Sequence, residues 1–498
     1  MTALTVAEAY HEQTKYTPSG IAAGQRSIDL AAQPEPFKVY PRAEVVDLTR
    51  YLPDGDELRT DGALADWRAR LPLMEQGLAS LSHLLYFTNG VTGLVPQPGS
   101  PLLMRAAPSA GGLYPTELYL VARGCAGLAD GVYNYLVRDH ALVRVCAPPT
   151  AGYLDGACLG DPAAGRADLL LVCTGLFARS AWRYADRAYR RVLLDTGHVL
   201  GNVALCGPLV GRHLRLLGGF SDAAWEEALF LDPSEEGVLA VAALSAEAQP
   251  HPAPVWPGPR TTAQALPPGR WLAALQAATR LLVPAGPAVS GHTFEELGPA
   301  ARLLPAQALA AAPPEMADRL GVTILSRRSC RAYNGRGISR EALAGLLALA
   351  YGSPSQLSVP GLLQTWLVIH EVEGLEAGCY HYDVRTSTAR QVRFTSLREP
   401  MRQLALGQDL AGDAAAVVVH TANLPEAVGR LGDRAYRHLH LDAGHLGQRL
   451  SLGAVRLGLG ASGIGGFFDD EVNDLVGIPA AQAVLYLTTL GVPARTGR

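Results

Sequence analysis

A chain of 498 residues is too long for one ordinary hydrophobic core and suits two domains with a connector. Its 48% hydrophobic and 18% charged residues are the composition of a globular protein and exclude a disordered one. The 42 basic and 46 acidic side chains leave a net charge of −4, so there is no global basic field for nucleic acid, and no apolar run approaches bilayer-spanning length.

The first twenty residues carry His11, Glu12, Gln13 and Lys15 without a continuous apolar core, so they do not read as a signal peptide. Residues 1–60 are taken as an N-terminal extension and 61–248 as a first domain. In that domain the patterning predicts an amphipathic helix over 74–88, extended segments at 116–122 and 131–136, and an apolar strand at 168–174. A long helix near 185–213 and a last strand at 237–244 follow. Residues 249–320 are dense in Pro and Ala and mark a stiff connector with a short helix over Arg270–Leu282. The second domain, 321–498, repeats the order: helix 339–350, strands 365–370, 379–383 and 414–420, a long helix 433–459 and a strand at 483–489. Strands mixed with long helices in this way predict an α+β sandwich around a largely antiparallel sheet. None of the seven cysteines falls at C-x-x-C spacing, so most are expected to be buried free thiols of a cytoplasmic protein.

The two domains are copies. Gly127-Leu-Ala-Asp-Gly131-Val-Tyr133 recurs as Gly374-Leu-Glu-Ala-Gly378-Cys-Tyr380, Asp186-Arg-Ala-Tyr189-Arg190 as Asp433-Arg-Ala-Tyr436-Arg437, and Gly218-Gly219-Phe220 as Gly465-Gly466-Phe467. The offsets, 374 − 127, 433 − 186 and 465 − 218, are all 247. A repeat in one register over such a span defines a tandem duplication.

Four segments carry candidate chemistry. Ser326-Arg327-Arg328-Ser329-Cys330-Arg331 offers guanidinium forks and hydroxyls to a phosphate, or is a solvated basic turn. Pro108-Ser109-Ala110-Gly111-Gly112 permits close backbone approach to a ligand, or is an ordinary turn. Gly463-Ile464-Gly465-Gly466 offers amides to a planar ligand, or ends a helix. In Trp182-Arg183-Tyr184 the neighbouring positive charge is expected to lower the phenol toward a general base, against the alternative of a packed tyrosine. His438, His440 and His445 do not share a helical face, so no metal site is expected.

The string from Arg105 through Ala-Pro-Ser109-Ala-Gly-Gly-Leu-Tyr-Pro-Thr-Glu117, with Gly131-Val-Tyr133-Asn-Tyr135 and Arg187-Ala-Tyr189-Arg190, resembles the nitroreductase superfamily. Within it the likeness is to the azoline dehydrogenases of streptolysin-, cyanobactin- and thiopeptide-type peptide modification. Tyr10-His-Glu-Gln-Thr14-Lys15 and Gln33-Pro-Glu-Pro-Phe-Lys-Val-Tyr40 are similar to two-unit members. The resemblance implies FMN between two copies of the fold, an intramolecular pseudo-dimer. Carried over, Arg327, Arg328, Ser329 and Arg331 bind phosphate and ribityl, with Arg495 a weaker phosphate candidate. Gly465 and Gly466 lie near the flavin N5 and O4, and Pro108 to Gly112 come from the first copy.

The implied reaction oxidises a thiazoline or oxazoline in a ribosomal peptide to the azole, with dioxygen reoxidising the flavin. Many relatives carry Lys-Tyr where this chain has Arg183-Tyr184, which leaves Tyr184 as the base candidate. An azoline-containing precursor peptide and a cyclodehydratase or leader-binding protein are the expected partners, with no nucleic acid and no membrane. Competing readings are an NAD(P)H-dependent nitro- or quinone-reductase and a non-catalytic scaffold. At the offset of 247, Ser109 aligns with Gln356, and Gly111 and Gly112 with Ser358 and Val359, in a loop about 15 residues shorter. The first copy lacks a triple-arginine start, Thr14 and Lys15 being the nearest substitute. One complete crevice, and one FMN per chain, is therefore expected.

Overall fold

The computed structural model describes residues 3–23, 28–41, 43–96, 101–247, 258–281, 306–352, 357 and 361–494. The first half builds a seven-stranded sheet from β1 (Val45–Asp47), β2 (Thr116–Ala122), β3 (Gly131–Leu136), β4 (Ala141–Cys146), β5 (Leu169–Leu176), β6 (His213–Leu216) and β7 (Glu236–Ser245). They run in the order β1-β4-β3-β2-β5-β7-β6. The second half repeats that order with β8 (Gln307–Ala308), β9 (Leu363–Ile369), β10 (Gly378–Asp383), β11 (Thr388–Arg393), β12 (Ala416–Asn423), β13 (Gly460–Ile464) and β14 (Gln482–Gly491), as β8-β11-β10-β9-β12-β14-β13. All neighbours in both sheets are antiparallel. The chain is an α+β protein formed by tandem duplication.

The central strands read as continuous apolar runs because both sheet faces are covered. On β5, Leu169, Leu171 and Cys173 enter one core cluster while Leu170 and Val172 enter another on the opposite face, as the two-residue period of a strand requires. On β12, Val418 and Val417 divide between two clusters in the same way.

The helices that matter for the site are α1 (Val6–Gln13), α2 (Leu73–Asn89), α3 (Phe177–Tyr184), α4 (Ala188–Cys206), α5 (Trp271–Ala278), α6 (Leu320–Ser326), α7 (Arg340–Tyr351), α8 (Leu424–Leu431) and α9 (Ala435–Arg456). The long helix expected over 185–213 is shorter, α4 alone, with α3 a separate helix before it. Ala185 adopts φ 48° and ψ −137°, which ends α3, and α4 stops at Cys206 before Gly207-Pro208, leaving His213–Leu216 as strand. Likewise α8 ends at Gly432, φ 69°, before α9.

The halves meet along α4 and α9, which cross backbone to backbone. A Cβ on Gly197 would collide with the Leu441 carbonyl oxygen, and one on Gly444, its counterpart in the repeat, with that of Leu194. Only glycine permits this approach. On either side of the crossing the halves exchange charges. Arg187 and Arg190 each reach Asp469 of the second half at 2.7 Å, and Arg434 and Arg437 reach Asp222 of the first at 2.6 Å. Since 434 − 187, 437 − 190 and 469 − 222 are all 247, the exchange is symmetric.

The duplication reaches further than its sequence signature. Thr14 accepts from Arg187 on its carbonyl and from Arg190 on its hydroxyl, and Thr279 does the same for Arg434 and Arg437. The Tyr16 amide donates to Asp469 as the Leu281 amide does to Asp222, and Ala7 to Asp433 as Leu272 to Asp186. These pairs are offset by 265 (279 − 14, 281 − 16, 272 − 7). So α5, assigned above to the connector, is the counterpart of α1, and each arm clasps the opposite half. Thr14-Lys15 corresponds to Thr279-Arg280 and does not substitute for the arginine-rich start.

Among the described residues no helix is long and apolar enough to cross a membrane.

Candidate functional site

One cavity of about 510 Å³ lies between the halves, beside the α4–α9 crossing. Its first wall is the loop that links the hairpin strand Leu102–Arg105 to β2. There Gly111 and Gly112 take φ of 67° and 68°, so the chain turns without the strain an L-residue would bear, and a Cβ on Gly111 would lie 2.9 Å from the Tyr184 hydroxyl. Ser109 locks the turn, accepting from the Tyr114 amide at 2.8 Å and donating to Asp195 at 2.5 Å. The Ala110 amide donates to the same carboxylate at 3.1 Å. Pro108 also faces the cavity.

The second half supplies the other walls. Arg327, at the end of α6, crosses over and donates from Nε to the Ala106 carbonyl at 2.9 Å, bracing the base of the first-half loop. Ser329 and Arg331 line the cavity beyond it. Arg328 does not: its guanidinium donates to the carbonyls of Leu325, Arg327 and Thr92, which hold it outside. Arg495 lies outside the described residues, as do Gln356, Ser358 and Val359.

Gly463, Gly465 and Gly466 all line the cavity. The run is no helix terminator. Gly460–Ile464 is the edge strand β13, paired with β14, and a Cβ on Gly465 would overlap Nη1 of Arg191. Glycine there admits an arginine from the opposite half.

Tyr184 borders the cavity; Arg183, exposed and 5.9 Å from the Tyr184 ring centre, does not line it. The expected acidified phenol is not found. Burial raises the Tyr184 pKa, and Arg191 and Arg183 only partly offset it, so at neutral pH the residue is a phenol that donates a proton. The group poised near neutrality is Asp195, which burial pushes up to about 7 against the hydrogen bonds of Ser109 and Ala110. Asp195 and Arg191 escaped the sequence reading. Their signal was two charges, one turn apart, on the face of α4 that also carries His198 and Asn202. His198 is a satisfied core histidine, bonded to Gln448 at 2.9 Å and Tyr486 at 2.8 Å. His445, its counterpart, has no hydrogen-bond partner on either nitrogen among the described residues.

Ala185, directly after Tyr184, holds a conformation that L-alanine resists, where the second half has Gly432. Replacing it with glycine is expected to stabilise the fold by about 1 kcal/mol, read as a higher urea midpoint at unchanged slope. An unchanged or lower midpoint would show that the turn is unstrained.

Among the described residues the pseudo-symmetric face is more deeply buried. Gly218 and Gly219 are buried where Gly465 and Gly466 are half-exposed, and Leu431 (0% exposed) and His438 (2%) replace Tyr184 and Arg191. The anchor persists: the Leu357 amide donates to Asp442 at 2.8 Å, as Ala110 does to Asp195.

Two copies of an antiparallel α+β fold clasped about a shared cavity define the class, and the Nitroreductase family profile matches residues 78–244 and 324–492. The chain belongs to the nitroreductase family. It superposes on a crystal structure of a nitroreductase-type protein from Anabaena variabilis with a TM-score of 0.88 and 38% identity, covering 99% of this chain and 100% of that one. It is 31% identical over 180 residues to MJ1384 of Methanocaldococcus jannaschii, named for the nitroreductases, spanning 36% of this chain and 87% of the relative. It is also 30% identical over 142 residues to the microcin B17-processing protein McbC of Escherichia coli, spanning 28% of this chain and 52% of the relative. The resemblance read from the sequence, to nitroreductases and to their peptide-processing branch, therefore holds.

Proposed function

We propose that the chain is an FMN-dependent dehydrogenase that oxidises thiazoline or oxazoline rings in a peptide to the azoles. The observation that carries this reading is the cavity itself. A glycine turn from one half faces hydroxyl, guanidinium and glycine-edge groups from the other, a donor set that suits a phosphate at one end and a planar ring at the other. Ser329 and Arg331, with Arg327 behind them, would hold the phosphate, while Gly465, Gly466 and the Ser109–Gly112 turn would enclose the ring. FMN bound there would supply the hydride acceptor. Likeness to a microcin-processing protein supports a peptide substrate, and with it a cyclodehydratase or leader-binding partner.

Asp195 is the proton acceptor in this reading, and Tyr184 a donor that orients the ring, with Arg183 beside it. The burial of Gly218 and Gly219 and the exchange of Tyr184 and Arg191 for Leu431 and His438 support one flavin per chain. Reconstitution tests both points. Expected are a flavin-to-protein ratio near one and anaerobic bleaching by a cyclised azoline peptide. A ratio near two overturns the single site. Bleaching by NAD(P)H alone assigns the chain to the reductases, and a protein that takes up no flavin is a scaffold.

A further inference from the structure

Arg191 is 6% exposed and lines the cavity, yet among the described residues no carboxylate or carbonyl bonds it, and its Nε is buried without a partner. The other deeply buried arginines nearby behave differently: Arg187, Arg190 and Arg327 are each bonded to carboxylate or carbonyl oxygens. The one carboxylate close to Arg191 on its own helix, Asp195, is engaged by Ser109 and Ala110. A guanidinium that faces a cavity with no protein oxygen bonded to it is free to receive an anion that enters. The counterpart position in the second half carries His438 and no arginine.

The cofactor's phosphate does not meet this need. The Cys330 amide donates to the Ala461 carbonyl at 2.9 Å, which places Ser329 and Arg331 beside the start of β13. Arg191 lies against Gly465, four residues on and about 13 Å away along an extended strand. Two cationic stations so far apart serve two anions. Arg191 also lies over the ring of Tyr184, the donor proposed to orient the substrate ring, 5.1 Å from its centre.

We propose that Arg191 is the docking point for a carboxylate on the substrate, so that the molecules processed here are acids: a free azoline carboxylic acid, or a peptide whose ring adjoins its terminal carboxylate. The inference rests on the flavin reading of the cavity. The FMN-loaded protein would be titrated with benzoate and with benzamide, isosteric planar probes that differ in charge, following the flavin absorbance. Benzoate is expected to give a saturable perturbation and benzamide to bind roughly ten-fold more weakly or worse. R191Q should keep its flavin and lose benzoate by a similar factor, and R191K should retain part of it. Equal binding of the two probes, an R191Q that binds benzoate like the parent, or an R191Q that no longer holds flavin would each overturn the proposal. A parent protein that takes up no flavin fails the functional reading first and this one with it.

Discussion

Asp222→Ala is expected to destabilise the protein by about 3–5 kcal/mol, because it strands two arginines that are 0% exposed. Burial pushes the Asp222 carboxyl up, but Arg434 and Arg437 outweigh it and hold the pKa below the usual range, so the carboxylate is charged in the fold. Removing it leaves their positive charge without its counter-ion in the interior. Against a typical stability of about 5–15 kcal/mol, that loss is a large fraction of the whole. Urea unfolding measures it, and a shift under about 1 kcal/mol would mean that water reaches the pair. Asp469→Ala removes the mirror-image partner and should lose a similar amount. It alone should also weaken flavin binding, since Arg187 donates to the Gly465 carbonyl at 3.3 Å as well as to Asp469. Equal flavin affinity in the two variants would disconnect the charge exchange from the cavity.

Mild acid is expected to unfold the protein. Burial pushes His198 down to about 4, and His420, His440 and His445 to about 3. For a histidine depressed in the fold, the unfolded chain takes the proton first. The stability is therefore fully present above about pH 6.5 and lost as pH falls from there toward the folded values. At pH 5 each such group forfeits about 2 kcal/mol. Asp195 acts in the opposite sense: raised to about 7, it binds its proton more tightly folded than unfolded and offsets part of the loss over the same window. Asp222 and Asp469, held low, matter only below about pH 4. Circular dichroism against pH should place the transition between 4 and 6 on these values. His445→Leu should move it to lower pH, since neither ring nitrogen bonds anything among the described residues. A fold intact at pH 4, or a variant with an unmoved midpoint, would count against the buried neutral imidazoles as the cause.

The repeat made the architecture legible, because three glycine- and arginine-rich strings kept one register. What it hid has physical reasons. The positive-φ stop of α3 at Ala185 carries no glycine or proline to announce it, where the second half has Gly432. The arms α1 and α5 share little beyond Thr14-Lys15 and Thr279-Arg280, because an arm is specified by the backbone groups it offers to buried charges, and any sequence can offer those. At the site, the Ser109 turn was readable from its glycines. Arg327 and Arg328 look alike in sequence, and only the fold separates a guanidinium that braces the turn from one tied back outside it. Arg191 was readable in principle from its mismatch with His438, directly after the matched strings Asp186–Arg190 and Asp433–Arg437.

The contact of Gly197 with Gly444 bears on how a substrate gains entry. At this crossing no side-chain layer separates the helices, which leaves the halves little freedom to shear where they touch. On the proposed reading, the gap between the Gly111 turn and the Gly465 edge would admit a flat ring edge-on, and a folded partner would first have to deliver its ring on an extended strand of peptide.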